Sequence, residues 1–223
     1  MVIIISLNKF LNIKEPKLMD HLENNEFGIK FKEIKFDSIL FSAFVQLKCM
    51  NCGMFRRNYH CLAVPRWKKA KETLSGYNKF YLVYKQMDNT IRIKDYEEKR
   101  EEMRKSGKRV FNDWLLKRNA INANQVQLYS IMRRFMIQLK VLFPGKKYRF
   151  FGAGGGCRSC RVCGLVLPHM KNEERVPCKK PEKSFNAPES WGIDVYSTLK
   201  NNNIEFEVIP ENLLNGIGLI VVK

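Results

Sequence analysis

No stretch of the chain approaches the ~18 consecutive apolar residues that a membrane span requires. The apolar start, Met1-Val2-Ile3-Ile4-Ile5-Ser6, is too short for a secretory leader and has no small-residue cleavage site. A soluble, cytoplasmic protein is the expectation. Conventional catalytic machinery is missing too, for no serine–histidine–acid order and no paired carboxylate stands out. Helix-turn-helix, finger spacing and RNA-binding signatures are absent, as are fixed-period repeats and low-complexity linkers. Histidine is scarce, at three residues. His21 carries no signal, and His169 reads as a loop residue between two cysteines. Proline and glycine are modest, at 8 and 13, while 45% of residues are hydrophobic and 12% aromatic. These proportions describe a globular chain, and 223 residues suffice for one substantial core.

Acidic residues are outnumbered. Forty Lys and Arg face 22 Asp and Glu, for a net charge of +18 and a pI near 9.7. Such an excess attracts nucleic acid, anionic small molecules or an acidic protein partner. Residues 133–183 hold thirteen of the basic residues, opposed only by Glu173, Glu174 and Glu182. That segment also carries the densest chemical signal.

The signal is Gly152-Ala153-Gly154-Gly155-Gly156-Cys157-Arg158-Ser159-Cys160-Arg161-Val162-Cys163, followed later by Pro177-Cys178. In a reducing cytoplasm, grouped cysteines point to metal rather than to disulfides. A lysine- and isoleucine-rich composition also suits a thermophile, and some hyperthermophiles keep intracellular disulfides. Three thiolates at two-residue intervals wrap one corner of an iron–sulfur cubane, and Cys178 completes the set. Gly154, Gly155 and Gly156 let the backbone approach inorganic sulfide and offer N–H groups to a negative cluster. Arg158 and Arg161 add positive charge. Zinc is the alternative, although four-cysteine zinc sites come more often as two separated pairs. A dinucleotide loop fits less well, because the glycines run into cysteines and not into a helix.

A second group lies upstream: Cys49-Met50-Asn51-Cys52 and Cys61, with His60 beside it. Three cysteines leave one position of a metal open to substrate, to water or to an outside ligand. The spacing is not C-x3-C-x2-C and argues against radical S-adenosylmethionine chemistry. A rigid zinc staple is the plain alternative.

Periodicity predicts a short helix over 16–26, a strand over 29–36, and a more buried strand over 39–47 leading into Cys49. Helix follows from Arg66 to Leu74 behind Pro65, then a strand over 80–84. A solvated helix runs from Asp95 to about Lys117, with Gly107 a candidate break. Asn124 is placed to cap a helix whose apolar face runs to Leu142. Tyr148–Phe151 is a strand, 188–199 a helix, and 204–209 and 218–222 two closing strands. The expectation is an α/β or α+β fold, a mixed β-sheet flanked by helices with cysteine-rich metal-binding loops. One compact domain spans 1–223, and its metal-site segments are 49–61 and 157–178.

The glycine–cysteine run, Pro177-Cys178-Lys179-Lys180-Pro181-Glu182-Lys183 and Gly192-Ile193-Asp194-Val195 together resemble a family of uncharacterised, predicted metal-binding proteins of archaea and anaerobic bacteria. Cys49, Cys52 and Cys61 match that family's upstream cysteines, and the likeness runs from about residue 45 to the C-terminus. It implies metal binding, and iron–sulfur by preference, but no reaction. Leu62-Ala63-Val64 stands where the family places a double proline, and its Tyr-Gly pair between the second and third cysteines is missing.

Three functions compete on these residues. The first is a protein with one or two [4Fe-4S] clusters and a redox partner. The second is an enzyme whose open metal at Cys49, Cys52 and Cys61 binds an anionic substrate, favoured by Arg56, Arg57, Arg66, Lys68 and Lys69. The third is a zinc protein that touches nucleic acid through its charge and aromatics such as Tyr148, Phe150 and Phe151.

Overall fold

The computed structural model describes residues 18–51, 67–107, 113–145, 147–152 and 178–223. In chain order the elements are α1 (Leu18–Glu23), β1 (Lys30–Ile34), α2 (Ala43–Met50), α3 (Trp67–Ser75), β2 (Lys79–Asp88), α4 (Thr90–Lys105), α5 (Asp113–Leu142), β3 (Tyr148–Phe151), α6 (Val195–Asn201) and β4 (Leu213–Val222). Short 3-10 turns occupy Phe36–Ser38, Pro181–Lys183 and Pro188–Trp191.

The strands form one four-stranded sheet in the order β1-β2-β4-β3. Long β2 and β4 pair through the middle, from Lys79 opposite Val222 to Asp88 opposite Leu213. β1 pairs with β2 from Lys30↔Tyr84 to Ile34↔Phe80, and β3 with β4 from Tyr148↔Val222 to Phe151↔Leu219. Every one of these pairings is antiparallel, so the class is α+β and the expected mixed sheet is corrected. The physical reason is the connectivity: no described pair of neighbouring strands is joined by a crossover that would return the chain in the same direction.

Strand alternation divides the core. Tyr81, Val83, Phe150 and Ile220 face α5, meeting Leu128, Met132, Phe135, Met136 and Leu139, with Leu18 and Leu22 of α1 beside them. Phe80, Leu82, Phe151, Leu219 and Val221 face the other way, against Ala70 and Leu74 of α3, Trp191, Ile193 and Leu199. Each such side chain contributes roughly 1.5–3 kcal/mol by leaving water, so the sheet is held from both sides. α5 comes close enough that a Cβ on Gly216 would stand 2.8 Å from Met132 Cγ and 3.0 Å from Leu128 Cγ.

Several expectations give way. Residues 43–50 are helical, not a buried strand. Phe41 makes a single bridge to Ile193, and the chain then turns into α2 with Phe44, Leu47 and Met50 outward. Short apolar runs cannot be assigned by periodicity alone. Asn124 caps nothing; it lies within α5 and donates to Asn89 Oδ1 at 2.7 Å, while Asn89 donates to the Pro210 carbonyl. Residues 204–209 form no strand: Ile204 is buried in the core and the Glu205 carbonyl accepts from the Gln86 side chain. Instead Phe206 stacks on Tyr196. The single helix expected over 188–199 is two pieces. Gly192, at φ +74°, ends the 3-10 turn, and Asp194 caps α6 by accepting from Ser197 N. The break expected at Gly107 is where α4 stops, with φ +68°.

Candidate metal centre

Of the cysteines and glycines singled out by the sequence, the described residues include Cys49 and Cys178. Cys52, Cys61, Cys157, Cys160, Cys163, Gly154, Gly155 and Gly156 lie outside them, as do His60 and His169. His21 packs its ring edge-on to Phe143, which accounts for it without a metal. Among the described residues no three His, Cys, Asp or Glu side chains group as ligands.

What the structure does show is how the chain is held where it enters and leaves the two cysteine segments. All of these points lie on one strap, residues 178–194. Cys49 belongs to α2, three residues after Gln46 and therefore on the same helix face. Gln46 is 8% exposed. Its Nε2 donates to the Ser190 carbonyl at 2.9 Å, and its Oε1 accepts from Trp67 N at 3.0 Å. One buried amide thus joins α2, the strap, and the residue at which the described chain resumes after Cys61. Ser42 N donates to the Gly192 carbonyl at 2.7 Å, and Asp194 N to the Leu40 carbonyl at 2.8 Å. A Cβ on Gly192 would fall 2.6 Å from the Cβ of Trp67, so only glycine lets these backbones meet.

The second segment is rooted six residues earlier on the same strap. Phe151 bridges to Asn186, and Gly152 N donates to the Asn186 carbonyl at 3.1 Å. Gly152 also lies under Phe185, whose Cβ would be 3.2 Å from a Cβ placed there. The chain is described again from Cys178, half-buried, with Sγ 3.8 Å from Ser184 Oγ. Ser184 is 2% exposed, and its hydroxyl donates to the Pro181 carbonyl at 2.8 Å. Lys140 of α5 donates to the carbonyls of Pro181 and Ser184 and lies over the Phe185 ring. Between the two roots Trp191 packs edge-on to Phe151, with the Arg149 guanidinium 4.5 Å from its ring centre.

The electrostatics are positive near both cysteines. Lys48 and Lys68 are exposed close to Cys49 in sequence or fold, and Lys179, Lys180 and Lys183 follow Cys178. Lysine nearby offsets the negative charge of a thiolate-bound centre. The donor chemistry fits a soft metal or an iron–sulfur cluster: half-buried cysteine sulfurs, a hydroxyl beside one of them, and surrounding cations. Within the strap, Glu189 is an acid whose titration the fold perturbs. Burial pushes its carboxyl above the ordinary range, and Asp194 adds to the shift.

Gln46, Trp67, Ser184 and Gly192 escaped the reading of the sequence as site residues. Only Gly192 carried a signal, as the glycine of Gly-Ile-Asp-Val. A buried glutamine that bridges residues 144 positions apart leaves no local trace.

No helix among the described residues is long and apolar enough to cross a membrane. The model of one family, described as predicted metal-binding protein (DUF2284), matches residues 32–222. No curated protein and no solved structure matches the chain.

Proposed function

The chain belongs to this family of predicted metal-binding proteins, and on that premise we propose that it is a metallocentre protein of the cytoplasm carrying one or two [4Fe-4S] clusters. Cys157, Cys160, Cys163 and Cys178 are the complete ligand set, which suits a structural or electron-carrying centre. Cys49, Cys52 and Cys61 are the incomplete one, where an open position would accept an outside ligand or an anionic substrate. An iron–sulfur group supplies one-electron chemistry when bound. Around Cys49 and Cys178 the protein's own residues supply the anchoring contacts and the positive charge.

The observation that carries this reading is the common strap. The chain just before Cys49, Trp67 and Phe151–Gly152 are tied to residues 185–194 by backbone hydrogen bonds, a buried amide and a glycine contact. Two unrelated surface loops would not need a shared and largely buried anchor.

The test is anaerobic purification with iron, acid-labile sulfide and zinc determined per chain, together with the visible spectrum. A brown protein with matching iron and sulfide is expected. Substituting Cys178 by Ala should remove one centre, and substituting Cys61 the other. Colourless protein holding stoichiometric zinc would replace iron–sulfur with zinc as the metal.

A further inference from the structure

The outer face of α2 is unusually apolar for a solvent-facing helix. Phe44 is 75% exposed, Leu47 52% and Met50 42%, and Leu40 just before the helix is 40% exposed. Phe44, Leu47 and Met50 are spaced by three, which lines them along one side of α2. Cys49 lies across the helix from that row, and the buried Gln46, one turn before Met50, lies at its edge and meets the strap. A single large hydrophobe on a surface is ordinary, but a contiguous row marks an interaction site.

Charge selects the occupant. Lys48 is exposed one turn after Phe44, at the edge of the row, and α2 carries no acidic residue. A second copy of the chain would bring another +18 to the interface, and like charges juxtaposed oppose docking. An acidic protein gains both apolar burial at the centre and attraction at the rim, the usual anatomy of a specific interface.

We propose that the Leu40, Phe44, Leu47 and Met50 face of α2 is the docking surface for an acidic electron-transfer protein. The electron-transfer part rests on the iron–sulfur reading above. A partner seated there is separated from Cys49 by about the thickness of one helix, roughly 10 Å. Gln46 ties the inner side of that same helix to the strap, so the docked face and the cysteine are held in a fixed relation.

The test uses the full chain as purified and, as the probe, a small acidic two-cluster ferredoxin in its oxidised form, with the dissociation constant measured by calorimetry. Wild type should bind, and affinity should fall steeply between about 50 and 500 mM salt as the charges are screened. Phe44→Ser with Leu47→Ser should weaken binding by about tenfold or more, and Lys48→Glu should weaken it at low salt alone. Because Phe44 and Leu47 are exposed, unchanged thermal midpoints are expected for both variants, which separates lost docking from lost fold. No binding to wild type, or affinity indifferent to all three substitutions, overturns the proposal. Sedimentation showing a wild-type dimer that the serine variant abolishes also overturns it in favour of a second copy. Metal analysis on the same sample keeps the two ideas apart. A colourless zinc protein that still binds ferredoxin through Phe44 and Leu47 retains the surface and loses the redox reading. A brown protein whose ferredoxin affinity ignores them retains the redox reading and loses the surface.

Discussion

Replacing Gly192 by Ala tests the claim that the strap is a precise fit against Ser42 and Trp67, which flank the first cysteine segment. Two costs add. Gly192 has φ +74°, a region that costs an L-residue roughly 1–2 kcal/mol. The new methyl would also sit 2.6 Å from Trp67 Cβ and 3.2 Å from the Ser42 carbonyl oxygen, and forcing atoms into a packed site costs about 1–3 kcal/mol more. The expected loss is therefore about 2–5 kcal/mol, read as a lower urea midpoint. The internal control is Gly107, which has φ +68° but nothing within 4 Å of an added Cβ. Gly107→Ala should show only the backbone cost, about 1–2 kcal/mol. The difference between the two variants isolates the crowding against Trp67 and Ser42. Because Trp67 N is held by Gln46, three residues from Cys49, Gly192→Ala should also bind less metal per chain at temperatures where it remains folded, whereas Gly107→Ala should keep its metal. Equal destabilisation of the two variants, or full metal content in Gly192→Ala, would refute the reasoning.

Other substitutions probe the rest of the frame. Gly216→Ala should cost about 1–3 kcal/mol through contact with Met132 and Leu128, and adding Met132→Ala should recover part of that loss; strictly additive losses in a denaturation double-mutant cycle would contradict the close approach of α5 to β4. Glu189 holds its proton more tightly folded than unfolded, since burial raises its pKa. Its contribution is present below the unfolded pKa and is lost as pH rises through the folded one. Stability of the wild type should therefore fall as pH climbs out of the acid range, and Glu189→Gln should flatten that fall and be more stable at neutral pH, as followed by urea midpoints across pH. Asn215 buries both amide atoms on β4 with no hydrogen-bond partner among the described residues, so Asn215→Val should stabilise the chain by about 1–3 kcal/mol; an unchanged or lower thermal midpoint would argue that the amide is satisfied after all.

The strands illustrate what was legible. Alternation located Lys30–Ile34, and runs of aromatic and β-favouring residues located the heart of β2 and Tyr148–Phe151. β4 was anticipated only in its second half. Its first half contains Asn215 and Gly216, poor strand formers by propensity, and it is extended because β2 pairs with it across ten residues. At α2 the apolar composition misled, since its hydrophobes face outward.

By itself the sequence determined the chemistry: four cysteines behind a glycine run, three more upstream, and a basic excess concentrated around the first set. Ligand type and spacing are local properties, so they can be read without a fold. The tertiary structure alone decided that the residues flanking both cysteine segments meet one strap, that the amide of Gln46 joins α2 to Ser190 and Trp67, and that Phe44, Leu47 and Met50 of α2 stand exposed. Those facts depend on backbone contacts such as Ser42 with Gly192 and Gly152 with Asn186. Residues so far apart in the chain meet only once the sheet has formed between them.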